Sequence, residues 1–236
     1  MNLLAIETAT ECCSAALLAD DRLLVRSRIA PRRHAELLLP MCEELLAEAG
    51  LRRRDLDVVA VGCGPGAFTG VRLAVSAAQG IALALGIPVV PVSSLAALAL
   101  QSPDGGAAIL AVIDARMGEV YAGAFRRTPD GLVEPIGDES VGSAAELLLP
   151  AAPVWNVIGS GWASYRDVIA ARLPAAPAWA DGDRYPQAAD VARLALPLAR
   201  AGRGVAPESA LPVYLRDKVA LTVAEQQAAR RRKALS

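Results

Sequence analysis

Histidine is nearly absent: His34 is the only one in 236 residues. Aromatic residues make up 4% of the chain. The four cysteines, Cys12, Cys13, Cys42 and Cys63, fall in the first third without the paired spacing of metal ligands. A closed zinc shell needs four side chains of these types, so no metal is expected. Reduced thiols in a cytosolic protein are the simplest account of the cysteines, and a cytoplasmic location is expected. Charge of one sign is also lacking. The net charge is −1, so no broad cationic field exists to drive nucleic-acid binding by counterion release. Only the segment ARRRK at 229–233 is strongly basic, and its simplest role is a solvated helix end. The start, MNLLAIETAT, meets Glu7 early and lacks basic residues, which argues against a signal peptide. Residues 73–100 carry no charge at all, yet Gln79, Gly86, Pro88 and Pro91 interrupt the run, so no membrane span or membrane partner is expected.

What is present is apolar and regular. Apolar residues make up 54% of the chain, mostly Ala, Leu and Val, enough for a sizeable core. Residues 3–8, 14–20 and 22–30 read as three strands joined by tight turns. Residues 35–49 read as a helix stopped by Gly50, 56–62 as a strand, 69–85 as a helix stopped by Gly86, and 87–92 as a strand. QSPDGG at 101–106 has the composition of a linker. Beyond it, 107–115 and 119–127 form a hairpin around 116–118, and 132–141 supply a third strand. Residues 144–150, 155–161 and 162–173 continue as helix, strand and helix. The two halves repeat one element order, which predicts a duplicated α/β protein divided into lobes 1–103 and 104–236 with a cleft between them. The last segment is expected to fold back on the first lobe.

The stretch GCGPGAFTGVRLAVSAAQG at 62–80 invites a phosphate-binding reading, since a glycine turn opening a helix presents free N–H groups. A P-loop would place Lys after the last glycine, whereas Val71 follows Gly70. The dinucleotide fingerprint would need an acidic residue about 20 positions on, and none occurs between Asp57 and Asp104. The glycines then serve close packing of the helix. Arg72 is the only charged residue in that interval and requires an anionic or carbonyl partner. The helix at 35–49 carries Glu36, Glu43, Glu44 and Glu48 on one arc, with apolar residues from Leu37 to Leu46 spread over roughly 200°. A helix covering one sheet face needs a stripe of about 100°, so a second packing partner is implied, either helix 69–85 or another subunit.

Together, ETAT, RRHAELLLP, the block from VGCGPGAFTG to SSLAALA, VIDARMGEVYAGAF and PVYLRDKV resemble the bacterial TsaB (YeaZ) family, in order over most of the chain. The element order likewise resembles the actin-like, sugar-kinase and heat-shock ATPase (ASKHA) superfamily, in which each lobe is a mixed sheet flanked by helices. The resemblance implies a non-catalytic partner of TsaD, the transferase that completes threonylcarbamoyladenosine beside the tRNA anticodon, with the small ATPase TsaE joining the complex. It implies pairing with TsaD through the N-terminal helices, homodimers through the same surface when alone, and contact with tRNA only through the complex. The expected partner surface comprises Leu38, Met41, Leu45, Pro65, Phe68, Thr69, Val71 and Arg72. TsaD-type proteins carry a metal-binding HxxxH beyond the strand that follows the glycine helix. Here that region, from Pro88 to Gly106, has no histidine. Glu7, Thr8, Thr10, Asp114, Arg116, Gly159 and Gly161 correspond to a degenerate nucleotide cleft, with no firm cofactor and at most weak ATP or ADP binding. Two other readings stay open: an ATP-dependent kinase or hydrolase using Glu7 or Asp114, and direct tRNA binding through Arg230, Arg231, Arg232 and Lys233.

Overall fold

The computed structural model describes residues 1–216, so the basic segment at 229–233 lies outside the described residues. The first half contributes β1 (Leu3–Glu7), β2 (Cys12–Ala19), β3 (Arg22–Ile29), α1 (His34–Ala49), β4 (Val58–Gly62), α2 (Phe68–Leu85), β5 (Val89–Val92) and α3 (Ser94–Ala99). The second contributes β6 (Ala108–Arg116), β7 (Glu119–Arg127), β8 (Val133–Pro135), β9 (Ser140–Ser143), β10 (Trp155–Ile158), α4 (Ser160–Ala170), β11 (Trp179–Asp181) and α5 (Ala188–Arg200).

The first sheet runs β3-β2-β1-β4-β5 and the second β8-β7-β6-β10-β11, with β9 also paired to β7. Pairing senses match as well as order. β1–β2 and β6–β7 are antiparallel, while β1–β4, β4–β5, β6–β10 and β10–β11 are parallel. The fold is therefore a duplicated α/β unit of the ASKHA type. The parallel strands LLAIE and VVAVG are buried along their whole length, as strands covered on both faces must be.

On one face of the first sheet, α1 and α2 share a core with Leu4, Ile6, Leu17, Val59 and Val61. Gly50 and Gly86 end these helices in the left-handed region at φ 68°, where a side chain would be strained. The opposite face is covered from the other half of the chain: Ala188, Val191, Ala192 and Ala195 of α5 pack on Leu3, Ala5, Val58 and Ala60. Reciprocally, Leu95, Leu98 and Ala99 of α3 pack on Ile109, Ala111 and Ile113 of β6. Each half thus lends one helix to the other's sheet. The segment between the sheets is held down, with Asn156 Nδ2 donating to Ser102 Oγ at 3.1 Å and Arg127 Nη2 to the Leu100 carbonyl at 2.7 Å.

Two sequence expectations fail here. Residues 144–150 form only a 3₁₀ turn at Ala144–Glu146, because Pro150 and Pro153 deny a helix the length it needs. The single strand at 132–141 is two short ones, broken between Pro135 and Ser140. Helices α3 and α5 were not anticipated.

Candidate functional site

The glycine loop turns inward rather than toward a ligand. A Cβ at Gly66 or Gly70 would collide with the carbonyls of Ala9 and Thr8, and one at Gly62 with the Glu7 carboxylate. Thr8 Oγ1 donates to the Gly70 carbonyl at 2.7 Å, and the Ala67 N–H donates to the Ala9 carbonyl at 2.7 Å. The glycines therefore let the start of α2 press against the β1–β2 turn, as close packing requires.

That turn forms one wall of a cleft of about 640 Å³ between the lobes, bounded also by 66–71, 113–116 and 213–216. Thr8, Thr10, Asp114 and Arg116 of the expected nucleotide set line it; Glu7, Gly159 and Gly161 do not. Glu7 is fully buried, with its carboxylate accepting from the Ala9 N–H at 2.6 Å and Ser94 Oγ at 2.7 Å. Burial pushes its carboxyl above the usual range, and these hydrogen bonds offset part of the rise. Glu7 therefore ties strand ends together and is not presented to the cleft. Gly159 and Gly161 let α4 approach β6, since a Cβ at either would crowd Val112. Asp114 accepts from Arg116 N–H at 2.7 Å, Ser164 Oγ at 3.1 Å and Tyr165 OH at 3.4 Å. Arg116 in turn spans the cleft to Glu11 at 2.5 Å. The two hairpins that would flank a nucleotide's phosphates are thus joined by the chain's own side chains.

His34 lines the cleft alone, its Nε2 buried and without a hydrogen-bond partner among the described residues. Among those residues no three His, Cys, Asp or Glu side chains converge on one point. The cysteines are free and buried, and burial pushes the Cys13 thiol up to about 11 and Cys42 and Cys63 to about 12, so they stay protonated and unreactive at neutral pH.

The expected partner surface divides. Leu38, Leu45 and Val71 are at most 2% exposed and Met41 is 7% exposed, all within the chain's own core, and Pro65 is buried too. Apart from Leu39, which stays exposed, the wide apolar arc of α1 is thus taken up by its own sheet and by α2, and these five residues cannot touch a partner directly. Phe68 and Thr69 stay exposed and Arg72 partly so. From Thr69, which the sequence did single out, an outer stripe of α2 continues through Leu73, Ser76, Gly80 and Leu83, which it did not; the five are spaced at three to four residues and free of charge. Leu83 is 71% exposed. The hydropathy of α2 would suffice for a membrane span by composition, but Ala74, Val75, Ala78 and Ala82 face the core. Beside it, the outer face of α1 is charged but internally paired: Arg26 meets Glu44 and Glu48, Arg33 meets Glu36, and Arg53 meets Glu43.

Two sheets of one order, exchanged helices and a side-chain-bridged cleft define a two-lobed ASKHA-type protein. Residues 25–222 match the family described as TsaD: tRNA N6-adenosine threonylcarbamoyltransferase. The tRNA threonylcarbamoyladenosine biosynthesis protein TsaB of Escherichia coli (strain K12) is 36% identical over 226 residues, covering 93% of this chain and 96% of that protein. The protein of the same name from Bacillus subtilis (strain 168) is 32% identical over 142 residues, 60% of this chain and 62% of its own. The solved structure of YeaZ from Pseudomonas aeruginosa superposes with a TM-score of 0.84 at 42% identity, covering 91% of this chain and 99% of that one. The chain belongs to the TsaB (YeaZ) family.

Proposed function

We propose that this protein is the non-catalytic partner of the TsaD transferase in forming N6-threonylcarbamoyladenosine next to the anticodon of tRNAs. It docks through the outer stripe of α2. TsaE joins the assembly, tRNA is reached only through the complex, and the same stripe pairs two copies when the protein is alone. The setting is cytoplasmic. The observation that carries the reading is the uncharged stripe Thr69-Leu73-Ser76-Gly80-Leu83, set between an ion-paired α1 and the segment 207–216. A long helix face without charge on a protein with 21% charged residues is a surface built to be covered. Two features support the absence of catalysis. The acid of the first hairpin, Glu7, is sealed inside, and Arg116 bridges the cleft where a nucleotide's phosphates would sit.

Ser76→Glu tests the docking. A carboxylate there should abolish association with TsaD in sedimentation, and threonylcarbamoyl transfer by the mixture with it, while the melting temperature stays that of the parent. Undiminished association would refute it. Turnover of ATP with magnesium by the purified protein at enzyme-like rates, lost in Asp114→Asn, would instead favour the kinase or hydrolase reading.

A further inference from the structure

We propose that Arg72 is the anchor of this docking surface, and that the protein it accepts brings a single carboxylate onto the Arg72 guanidinium. The inference rests on the docking reading above. The guanidinium carbon lies 3.1 Å from the centroid of the Phe68 ring and 4.8 Å from that of Tyr214, and the two rings are 6.3 Å apart. Both rings are about half exposed, Phe68 at 53% and Tyr214 at 50%, so the stack stands at the surface.

Its two halves come from distant parts of the chain and are each held in place. Phe68 opens α2, and Tyr214 sits on a segment pinned on both sides. The Val213 N–H donates to the Cys63 carbonyl at 2.8 Å, and Arg216 Nη2 reaches the Ala115 carbonyl at 3.2 Å and the Glu119 carboxylate. Contact with the two rings covers part of the guanidinium, but its N–H donors, which point within its own plane, gain no oxygen acceptor from them. Nη1 is buried and finds no acceptor among the described residues. Other arginines do have carboxylates: Arg26, Arg52, Arg53 and Arg116 all form ion pairs. None is near Arg72 in sequence, because no acid occurs between Asp57 and Asp104. The sealed Nη1 leaves the charge uncompensated on its inner side, so an oriented, partly desolvated guanidinium of this kind is a receptor for a carboxylate, held by the donors that remain accessible. A nucleic-acid backbone fits poorly, since it would call for several cations and α2 offers one. The neighbouring Thr69, Leu73 and Ser76 suit a protein surface whose acid is set among small or apolar side chains.

The test measures affinity of the full chain for TsaD of the same organism by calorimetry at low and high salt, beside melting curves. Arg72→Gln should weaken binding on the order of thirtyfold or more and remove most of its salt dependence. Arg72→Lys, which keeps the charge and the alkyl stem, should fall between this variant and the parent because the planar fork is lost. Should Arg72→Gln fail to fold, the lysine variant decides alone, and parental affinity in it overturns the anchor. If Ser76→Glu abolishes binding while both Arg72 variants bind like the parent, the surface stands and the anchor is wrong. If Ser76→Glu also binds like the parent, the docking reading falls, and the anchor with it.

Discussion

The two lobes have sheets of one strand order and differ in what covers them. In the first, the outer face carries α1 of 16 residues and α2 of 18. In the second, the place of α1 is taken by a three-residue turn at Ala144–Glu146, and α4 has 11 residues with a non-helical Tyr165 inside it. Duplication fixes the β framework because the parallel strands of each sheet must be covered on both faces. The helices are free to diverge, since their outward sides answer only to solvent or to a partner. On the docking reading, long helices ended by αL glycines on one lobe alone belong to the lobe with a further surface to present.

The contrast can be broken most sharply at α1. Leu38 is 1% exposed and Leu39 next to it 53% exposed. Leu38→Glu buries an unpaired carboxylate in the first-lobe core and should cost about 4 kcal/mol or more, unfolding much of the protein at moderate temperature. Leu39→Glu should stay within about 0.5 kcal/mol of the parent. Urea titrations of both variants check this. Parental stability in Leu38→Glu would mean that the arc of α1 faces outward after all.

A smaller effect compares the glycines that start the two outer helices. A methyl at Gly70 would strike the Thr8 carbonyl, a backbone atom that can yield only by moving the β1–β2 turn. At Gly161 the nearest atom is Val112 Cβ at 3.0 Å, on a side chain. Gly70→Ala should destabilise by about 1–3 kcal/mol, and Gly161→Ala by less. Equal losses, read from thermal melts, would show the two helix starts to be packed alike.

The exchanged helix α5 gives the next test, through pH. Asp190 in its first turn is 4% exposed, and burial pushes its carboxyl up to about 6, against the pull of Arg193 3.1 Å away. The folded state therefore holds this proton more tightly than the unfolded chain. Its contribution is full below about pH 4, fades as pH rises through 6, and is gone above, amounting to about 3 kcal/mol at most. Asp190→Asn should remove that slope between pH 4 and 6.5. Parallel melting profiles for parent and variant would show that Asp190 does not titrate in this window.

These tests fall where the sequence was readable and where it was not. Most of the strands, both αL glycines and the repeated element order could be read because hydrophobic period and turn residues are local signals, while the three-residue β11 was missed and 132–141 was read as one strand. The nearly charge-free run around α2 was visible too, and α3 lay inside it without a period of its own. Helix α5 was missed although Ala188, Val191, Ala192, Ala195 and Leu198 recur at helical spacing opposite Arg193 and Arg200; small alanines and Pro197 dilute that pattern. The burial of Leu38, Met41, Leu45 and Val71 could not be foreseen either. An apolar arc shows how much surface must be covered, but whether its own sheet or a second chain covers it depends on contacts distant in sequence. Likewise, Glu7 looked like a cleft acid until Gly62 and Ser94, 55 and 87 positions away, proved to enclose it.

The smallest effect on stability concerns Gly80, and it addresses the outer stripe directly. Its position is helical and exposed, and an added Cβ would meet nothing within 4 Å. For the isolated protein Gly80→Ala should therefore be stabilising by about 0.5–1 kcal/mol, because alanine loses less backbone freedom than glycine on entering a helix. That corresponds to a rise of about 1–4 °C in melting temperature for a chain of this size. A glycine kept at such a site despite its cost is explained if another helix packs closely on Ser76 and Gly80, where one methyl would hold the two backbones apart. In that case the variant melts higher yet binds TsaD and a second copy of itself severalfold more weakly. The opposite signs of the two effects are the signature, since a residue that matters only to folding would move both measurements the same way. A variant that is more stable and binds as well as the parent would place the close contact elsewhere along α2, toward Thr69 and the Phe68 stack.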